Sequence, residues 1–400
     1  MKKIIKKDKV HKGINLLTWS TSVRWFGWGL GEAFIPIFLL LFSENFLETG
    51  LLTSIYNIVF FLSIPLAGYL ADNIKIKKIL LFGLILYVFI GMGYFLAGLT
   101  SSIIFIIIAR GLNGIAYSFD QVGRESYFIR NSPKNKISKI FGRFDVITNF
   151  WWIIAVIIGI TLVKFMSIPI HWLLFVVTPT SIISLLIVSR LKERPRKYET
   201  NLCVLKTYLN LPRDIKKFKT ELKITILLSF ITGILSSIIY FFVPIFAYLN
   251  GDGLGNSAVL ALVYAIPMLF GKFLGKIADK KKEKIYFISF LSIILILGSL
   301  ILVKNYFLLL IIMFTASIIF ELISLTNRGI LARFADRTHL GEIDGSLNGF
   351  AALGAIVGPL LFGFLLDSTS IANSYFVIII IAMIASIISF FGIKKYFKTN

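Results

Sequence analysis

The segment Gly68-Tyr-Leu-Ala-Asp72-Asn-Ile-Lys75-Ile-Lys77-Lys78 returns 207 residues later as Gly275-Lys-Ile-Ala-Asp279-Lys280-Lys281-Lys282-Glu283-Lys284. Each copy closes an apolar run long enough to cross a bilayer with G-x-[LI]-A-D, then turns through lysines into the next run. A second pair, Arg124 and Arg328, recurs at an offset of 204. Matching events at near-constant spacing mark an internal repeat, so the chain is two related halves.

The chemistry of the turn follows from its residues. A small glycine lets neighbouring helices approach closely. An aspartate at a helix terminus can accept from the exposed backbone N–H groups of an adjacent helix start. Gly68, Asp72, Gly275 and Asp279 are therefore expected to form a latch that closes in one conformation and opens in another. One copy alone would read as a plain basic turn; two copies in register favour the latch.

Composition carries the same reading to the whole chain. The 400 residues are 57% hydrophobic and only 16% charged, with a mean hydropathy of +0.86. Such a chain lacks the polar material to cover a water-facing surface. It is expected to be an all-α polytopic membrane protein of twelve spans, about 14–42, 48–71, 78–98, 101–122, 143–163, 169–190, 224–249, 256–278, 285–303, 306–332, 345–366 and 371–393. The net charge of +22 does not signal nucleic-acid binding, because the basic residues fall in short clusters between spans. The single cysteine, Cys203, excludes an intramolecular disulfide and cysteine-based metal or redox chemistry. Neither metal nor cofactor is expected.

Thirty-seven of the 42 Lys and Arg lie in the N-terminus, the alternate loops and the C-terminus on one side. The opposite loops hold two, Lys164 and Lys304, against Glu44, Glu48, Asp252 and Asp367. The positive-inside rule then predicts a multi-pass protein of the cell (plasma) membrane with both termini cytoplasmic. The lysine-rich start resembles the charged region of a signal peptide, but the apolar run after it is too long and ends in no small-residue cleavage site, so it is expected to stay as a membrane helix. The polar stretch near the middle divides the chain into residues 1–190, a basic linker 191–223 and residues 224–400. The linker reads either as a hinge contacting anionic lipid at the cytoplasmic face, or as a solvated connection.

Twelve spans in two halves, a basic central loop and the G-x-[LI]-A-D turns together resemble the major facilitator superfamily (MFS) of secondary transporters. The resemblance covers almost the whole chain. Arg110-Gly-Leu-Asn-Gly114-Ile-Ala116 is similar to the family's R-x-x-x-G-x-[GA] motif, whose arginine is associated with proton coupling. Gly354-Ala-Ile-Val-Gly358-Pro359 resembles a G-x-x-x-G-P element that marks drug/proton antiporters when it lies in span five. Here it lies in span eleven, and the stretch Ile147–Gly159 of span five has no Gly-Pro. Asn73 and Lys75 also replace a basic residue and a glycine of the loop motif.

Ionisable groups inside hydrocarbon cost about 2.5–3.5 kcal/mol at the centre of a span and call for a role. Span one carries Arg24 and Glu32; span four carries Arg110 and Asp120. The two spans run antiparallel, which places Glu32 level with Arg110 and Arg24 level with Asp120 as two crosswise pairs. In the family these helices line the central cavity. Glu32 is the expected proton acceptor, since burial penalises its charge while a neighbouring arginine supports it, and Arg110 stays charged throughout. Static structural salt bridges are the alternative, and Asp120 has a further reading as a partner of the basic turn near Asp72. Glu321 and Lys272 read as a pair in the second half, or else Lys272 snorkels towards the cytoplasm with Lys276. Trp28, Tyr56, Asn57, Asn113, Tyr117, Asn149, Trp152, Tyr240 and Tyr264 are candidates for a cavity wall or for packing. Gly354 and Gly358 are expected to allow close helix contact, and Pro359 a kink.

The expected function is alternating-access transport of a small organic solute, coupled to H+ and directed outward, in a monomer. Uptake of an anion, sugar or metabolite, or uniport with Arg24 and Arg110 as ligands, is the alternative within transport. A non-transporting sensor is a further class. A membrane enzyme is poorly supported: His11, His171 and His339 are far apart, and no zinc-protease, Walker or nucleophile-elbow motif occurs.

Overall fold

The computed structural model describes residues 2–132, 137–193, 218–281, 284–334 and 340–396. Among them the chain is helical almost throughout and holds no strand. Ten helical stretches are long and apolar enough to cross a membrane. One, Thr220–Phe270, contains both span seven and the start of span eight, and span one is built from Lys2–Glu32 and Ile35–Leu40. Twelve spans result. Large apolar side chains such as Leu302, Phe307 and Phe165 are exposed, which suits a lipid-facing surface and accounts for the high mean hydropathy.

Several expected spans are broken, and prolines explain where. Span one stops at Glu32 and resumes at Ile35; Pro36 has no N–H to offer the Glu32 carbonyl four residues back. Span six divides at Val176 into Ile170–Phe175 and Val177–Ser189, with Pro179 in the same relation to Phe175. Span eight runs as Gly253–Ala265, a 3₁₀ turn Ile266–Phe270 containing Pro267, and Gly271–Lys281. Span seven, Thr220–Ala247, carries Pro244 and ends in a π turn, Tyr248–Asp252. Gly251 and Gly253, at φ of 92° and 79°, supply the left-handed backbone that links it to span eight.

Tertiary contacts group the chain into two compact units. The first comprises Met1–Phe38 and Ile58–Tyr208, the second Leu39–Asn57 and Leu209–Asn400. The single helix of span two, Phe46–Asn73, therefore contributes its first part to the second unit and the remainder to the first. Most of the 191–223 linker lies outside the described residues.

In the first unit, span one packs on spans five and six, and span three on spans four and six. Glycines set the distance between spans one and five. A Cβ at Gly29 would stand 2.8 Å from the Trp152 carbonyl, and one at Gly159 would strike the carbonyl of Leu30. Spans one and six are stitched by a reciprocal bond: Ser184 donates to the Ser20 carbonyl at 2.7 Å and Ser20 to the Ser184 carbonyl at 3.3 Å. Such polar contacts hold helices together where no hydrophobic drive separates protein from lipid.

In the second unit, spans seven and eleven (Leu340–Ser368) meet at Gly233, Gly354 and Gly358. A Cβ at Gly354 would run into the Phe230 carbonyl, and one at Gly358 would lie 2.7 Å from that of Ile234. The expected close contact at these two glycines is present. The first part of span two also meets span eleven: Asn57 donates to the Ala355 carbonyl at 3.2 Å and Ser54 to that of Ile356 at 2.8 Å. Asp367 closes this arrangement by accepting the Phe46 and Leu47 N–H groups at 3.0 and 2.7 Å, capping the start of span two.

Candidate functional site

Span four, Ile103–Asn131, buries three of its charged residues, Arg110, Asp120 and Arg124. Asp120 and Arg124 stand one turn apart, so their side chains meet. Asp120 Oδ2 accepts from Arg124 at 2.5 Å and from Arg24 of span one at 2.6 Å. All three residues are buried, between 2 and 6% exposed. The Arg24 guanidinium also lies 4.3 Å from the Tyr87 ring centroid, and that of Arg124 4.8 Å from Phe144, which offsets part of the cost of burying two cations. The crosswise Arg24–Asp120 pair expected from helical geometry is thus present, but it is one arm of a triad. Asp120 is directed into this triad, not at the basic turn.

Glu32 lies at the broken end of span one. Its Oε2 accepts a short hydrogen bond of 2.5 Å from the Trp152 indole N–H of span five, and the Trp28 side chain stands beside the same carboxylate. Arg110 and Arg24 both act on it electrostatically. Trp28 in turn contacts Tyr94 and Tyr87, with ring centroids 6.2 and 6.4 Å apart, and Arg110 lies beside the Tyr94 hydroxyl. Glu32, Arg110, Trp28 and Trp152 therefore share one neighbourhood. The indole donor is the element the sequence did not reveal: Trp152 reads there as cavity wall or packing, and the Gly29 and Gly159 contacts bring it to Glu32.

Of the other cavity candidates, Asn113 is buried on span four, Tyr117 stacks at 5.2 Å from Phe60 and lies near the triad, and Tyr56 and Asn149 are half-buried. Asn57 is committed to span eleven. Tyr240 and Tyr264 meet in the second unit, with ring centroids 5.3 Å apart. Glu321 lies near Tyr264, whereas the Lys272 side chain lies outside the described residues. Span ten is pinned by a chain absent from the sequence reading: the Tyr286 hydroxyl donates to Asn327 Oδ1, and Asn327 Nδ2 donates to Ser229 Oγ at 3.0 Å.

The turns that open the sequence reading differ from expectation in one respect. A Cβ at Gly68 or Gly275 would meet nothing within 4 Å, so neither glycine mediates a close helix approach; the close contacts are at Gly354 and Gly358 instead. Asp279 is exposed, and the Asp72 side chain lies outside the described residues. At the start of span three, Ile76–Thr100, Glu193, just past span six, accepts the backbone N–H groups of Ile76 and Lys77. Burial raises the Glu193 carboxyl above the usual carboxylate range, against the opposing pull of those two bonds and of Lys75 and Arg130. Lys77 Nζ bonds the Ser189 carbonyl and Arg130 donates to the Ala71 carbonyl at 2.8 Å, tying the same turn to spans six and four.

Twelve spans, a polar interior built on buried charges and proline-broken helices define a multi-pass membrane transporter. A profile of the Major Facilitator Superfamily matches residues 17–343 and 273–398, and the chain belongs to that family. It is 28% identical over 196 residues to the multidrug resistance protein MdtG of Salmonella arizonae, covering 47% of this chain and 48% of that one. The matched stretch thus spans about half the length of that relative. Among solved structures, the nucleoside transporter NupG superposes with a TM-score of 0.73 at 16% identity, over 96% of this chain and 99% of NupG. A POT family transporter in complex with 5-aminolevulinic acid gives 0.78 at 15% identity, over 96 and 97%. These structures share the fold.

Proposed function

We propose that this chain exports a small organic solute in exchange for protons, by alternating access, with Glu32 as the proton acceptor. The observation that carries the reading is the Glu32 carboxylate at a helix break, held by the Trp152 indole N–H and faced by the fixed charge of Arg110. A charged acceptor makes a stronger hydrogen bond than a neutral one. Protonation weakens the indole bond and leaves Arg110 less compensated, so the two protonation states favour different arrangements of span one. The likeness to a multidrug resistance protein over about half of each chain supports the outward direction. Arg24 is occupied by Asp120, which removes one ligand from the competing anion-uptake reading.

The remaining features fit the same proposal. The arginine- and lysine-rich ends face the cytoplasm of a plasma-membrane protein, both termini lie there, and residues 1–190 and 224–400 act as two bundles joined by the basic linker 191–223, which meets anionic lipid. The working unit is a monomer without enzymatic activity. The test is proton movement in proteoliposomes carrying an internal pH dye, with cationic, neutral and anionic solutes. Solute-dependent pH change that vanishes in Glu32→Gln, while passive counterflow of the solute survives, is the expected result. Solute flux without any pH change removes Glu32 from the proton path.

A further inference from the structure

We propose that the second unit carries an organic-cation site in which Glu321 supplies the charge and Tyr240, Tyr264 and Phe320 supply the aromatic surface. The site rests on the transport reading and names its substrate class. Glu321 lies close to the middle of span ten, Tyr306–Phe334, where an ionised group is expensive unless something compensates it. In the first unit the buried carboxylate Asp120 is sealed between two arginines. Glu321 differs: it is half-buried, and among the described residues it has neither an ion pair nor a hydrogen bond. Among the described residues the basic group that acts on it is Arg328, seven residues on and so about 10 Å along the helix, and the Lys272 side chain lies outside the described residues.

The surroundings suit a large soft cation. Tyr240 of span seven and Tyr264 of span eight lie 5.3 Å apart at 54°, and Phe320, next to Glu321, lies 6.5 Å from Tyr264 at 44°. Rings from three spans thus form one aromatic cluster, and its central member, Tyr264, lies near the Glu321 carboxylate. Ring faces attract cations, most strongly where water is removed. Span eight is interrupted here by the 3₁₀ turn Ile266–Phe270, and it resumes at Gly271, whose Cβ position would stand 4.0 Å from Glu321 Oε1. Gly271 itself puts no side chain between that backbone and the carboxylate. A break in a span facing an intramembrane charge is where transporters bind their ligands. Span ten is fixed for this purpose by Asn327, whose bonds to Tyr286 and Ser229 anchor the helix on spans nine and seven.

The test measures binding without transport. Purified full-length protein in a sodium buffer with detergent is dialysed to equilibrium against tetraphenylphosphonium, and separately against tetraphenylborate, which has nearly the same shape and the opposite charge. Saturable binding of the phosphonium is expected, with none of the borate. Glu321→Gln should weaken it at least about tenfold and Glu321→Asp far less, and Tyr264→Leu should weaken it several-fold. Circular dichroism checks that each variant keeps its helicity; if Glu321→Gln does not fold, Tyr264→Leu decides. Equal affinity for the two ions, no saturable phosphonium binding, or unchanged affinity in a folded variant overturns the site. Loss of the site with solute-driven pH change intact leaves the export reading standing; cation binding without any proton movement does the reverse.

Discussion

Replacing Asp120 with Asn keeps the shape of the side chain and removes the one carboxylate that serves two buried arginines. Arg24 and Arg124 reach it at 2.6 and 2.5 Å, and all three residues are at most 6% exposed. Taking away one partner of a buried ion pair costs about 3–5 kcal/mol, because the partner left behind keeps its desolvation penalty. Two guanidiniums are left behind here, so the upper part of that range applies. Arg24→Met has a different effect: Asp120 keeps Arg124 one turn away, and the loss is one charge-assisted hydrogen bond of about 1.5–3 kcal/mol, partly offset by the buried methionine. At about 2 °C per kcal/mol for a chain of this size, Asp120→Asn should lower the melting temperature by about 8–10 °C and Arg24→Met by at most about 3–6 °C. The double variant should recover part of the Asp120→Asn loss, since one stranded cation goes with it. Tryptophan fluorescence of the purified protein during heating reports the three midpoints. If Arg24→Met melts as low as Asp120→Asn, or Asp120→Asn melts like the parent, Asp120 does not hold the first unit together electrostatically.

Glu193 has a carboxyl raised by burial in the folded protein, so its ionised form costs stability above that raised value, and the cost disappears as pH falls below the ordinary carboxylate range. Glu193→Gln should therefore gain most over the parent at neutral pH, with the gap in melting temperature closing on acidification; a gap that widens on acidification refutes the sign. Gly354→Val should cost at least about 1–3 kcal/mol, since a Cβ there meets the Phe230 carbonyl, whereas Gly275→Ala, with open space around it, should be neutral or stabilising by up to about 1 kcal/mol. Thermal midpoints of the two variants check the contrast. Pro36→Ala returns the N–H that span one lacks after Glu32; it should raise the melting temperature while lowering solute-driven proton flux, measured in the same proteoliposomes.

The spans and the Arg24–Asp120 pair were legible because each depends on one helix or on the antiparallel register of two. Apolar length gives the spans, and rise and rotation along a helix give the level of each charge. The second arm of the triad, Arg124, sits one turn beyond Asp120 and was readable by the same rule, yet it registers in the sequence only as the repeat counterpart of Arg328. What was not legible depends on packing between helices distant in the chain. Trp152 reaches Glu32 only because Gly29 and Gly159 let spans one and five close up. Glu193 belongs by sequence to the polar linker, and only the fold brings it to the start of span three. Gly68 and Gly275 carry the motif whose small residue suggests close contact, but no neighbour comes within reach of them.

The prolines connect these observations. A proline inside a membrane span forfeits one backbone hydrogen bond, and in hydrocarbon the freed carbonyl has no water to turn to. A chain that keeps such residues needs the break for something. Pro36 ends the helix at Glu32, and the residue left at that end is the carboxylate that takes the Trp152 indole N–H. Pro267 unwinds span eight into a 3₁₀ turn, and the residue at which the helix resumes, Gly271, is the one beside Glu321. Glu32 thus stands at a break made by a proline in its own span, while Glu321, on the unbroken helix Tyr306–Phe334, lies beside such a break in span eight. Asp120, which two arginines compensate, lies on an unbroken helix. Glu32 and Glu321 each lie next to a stretch where a span departs from the regular helix, which is the arrangement that the proposed proton and cation sites require.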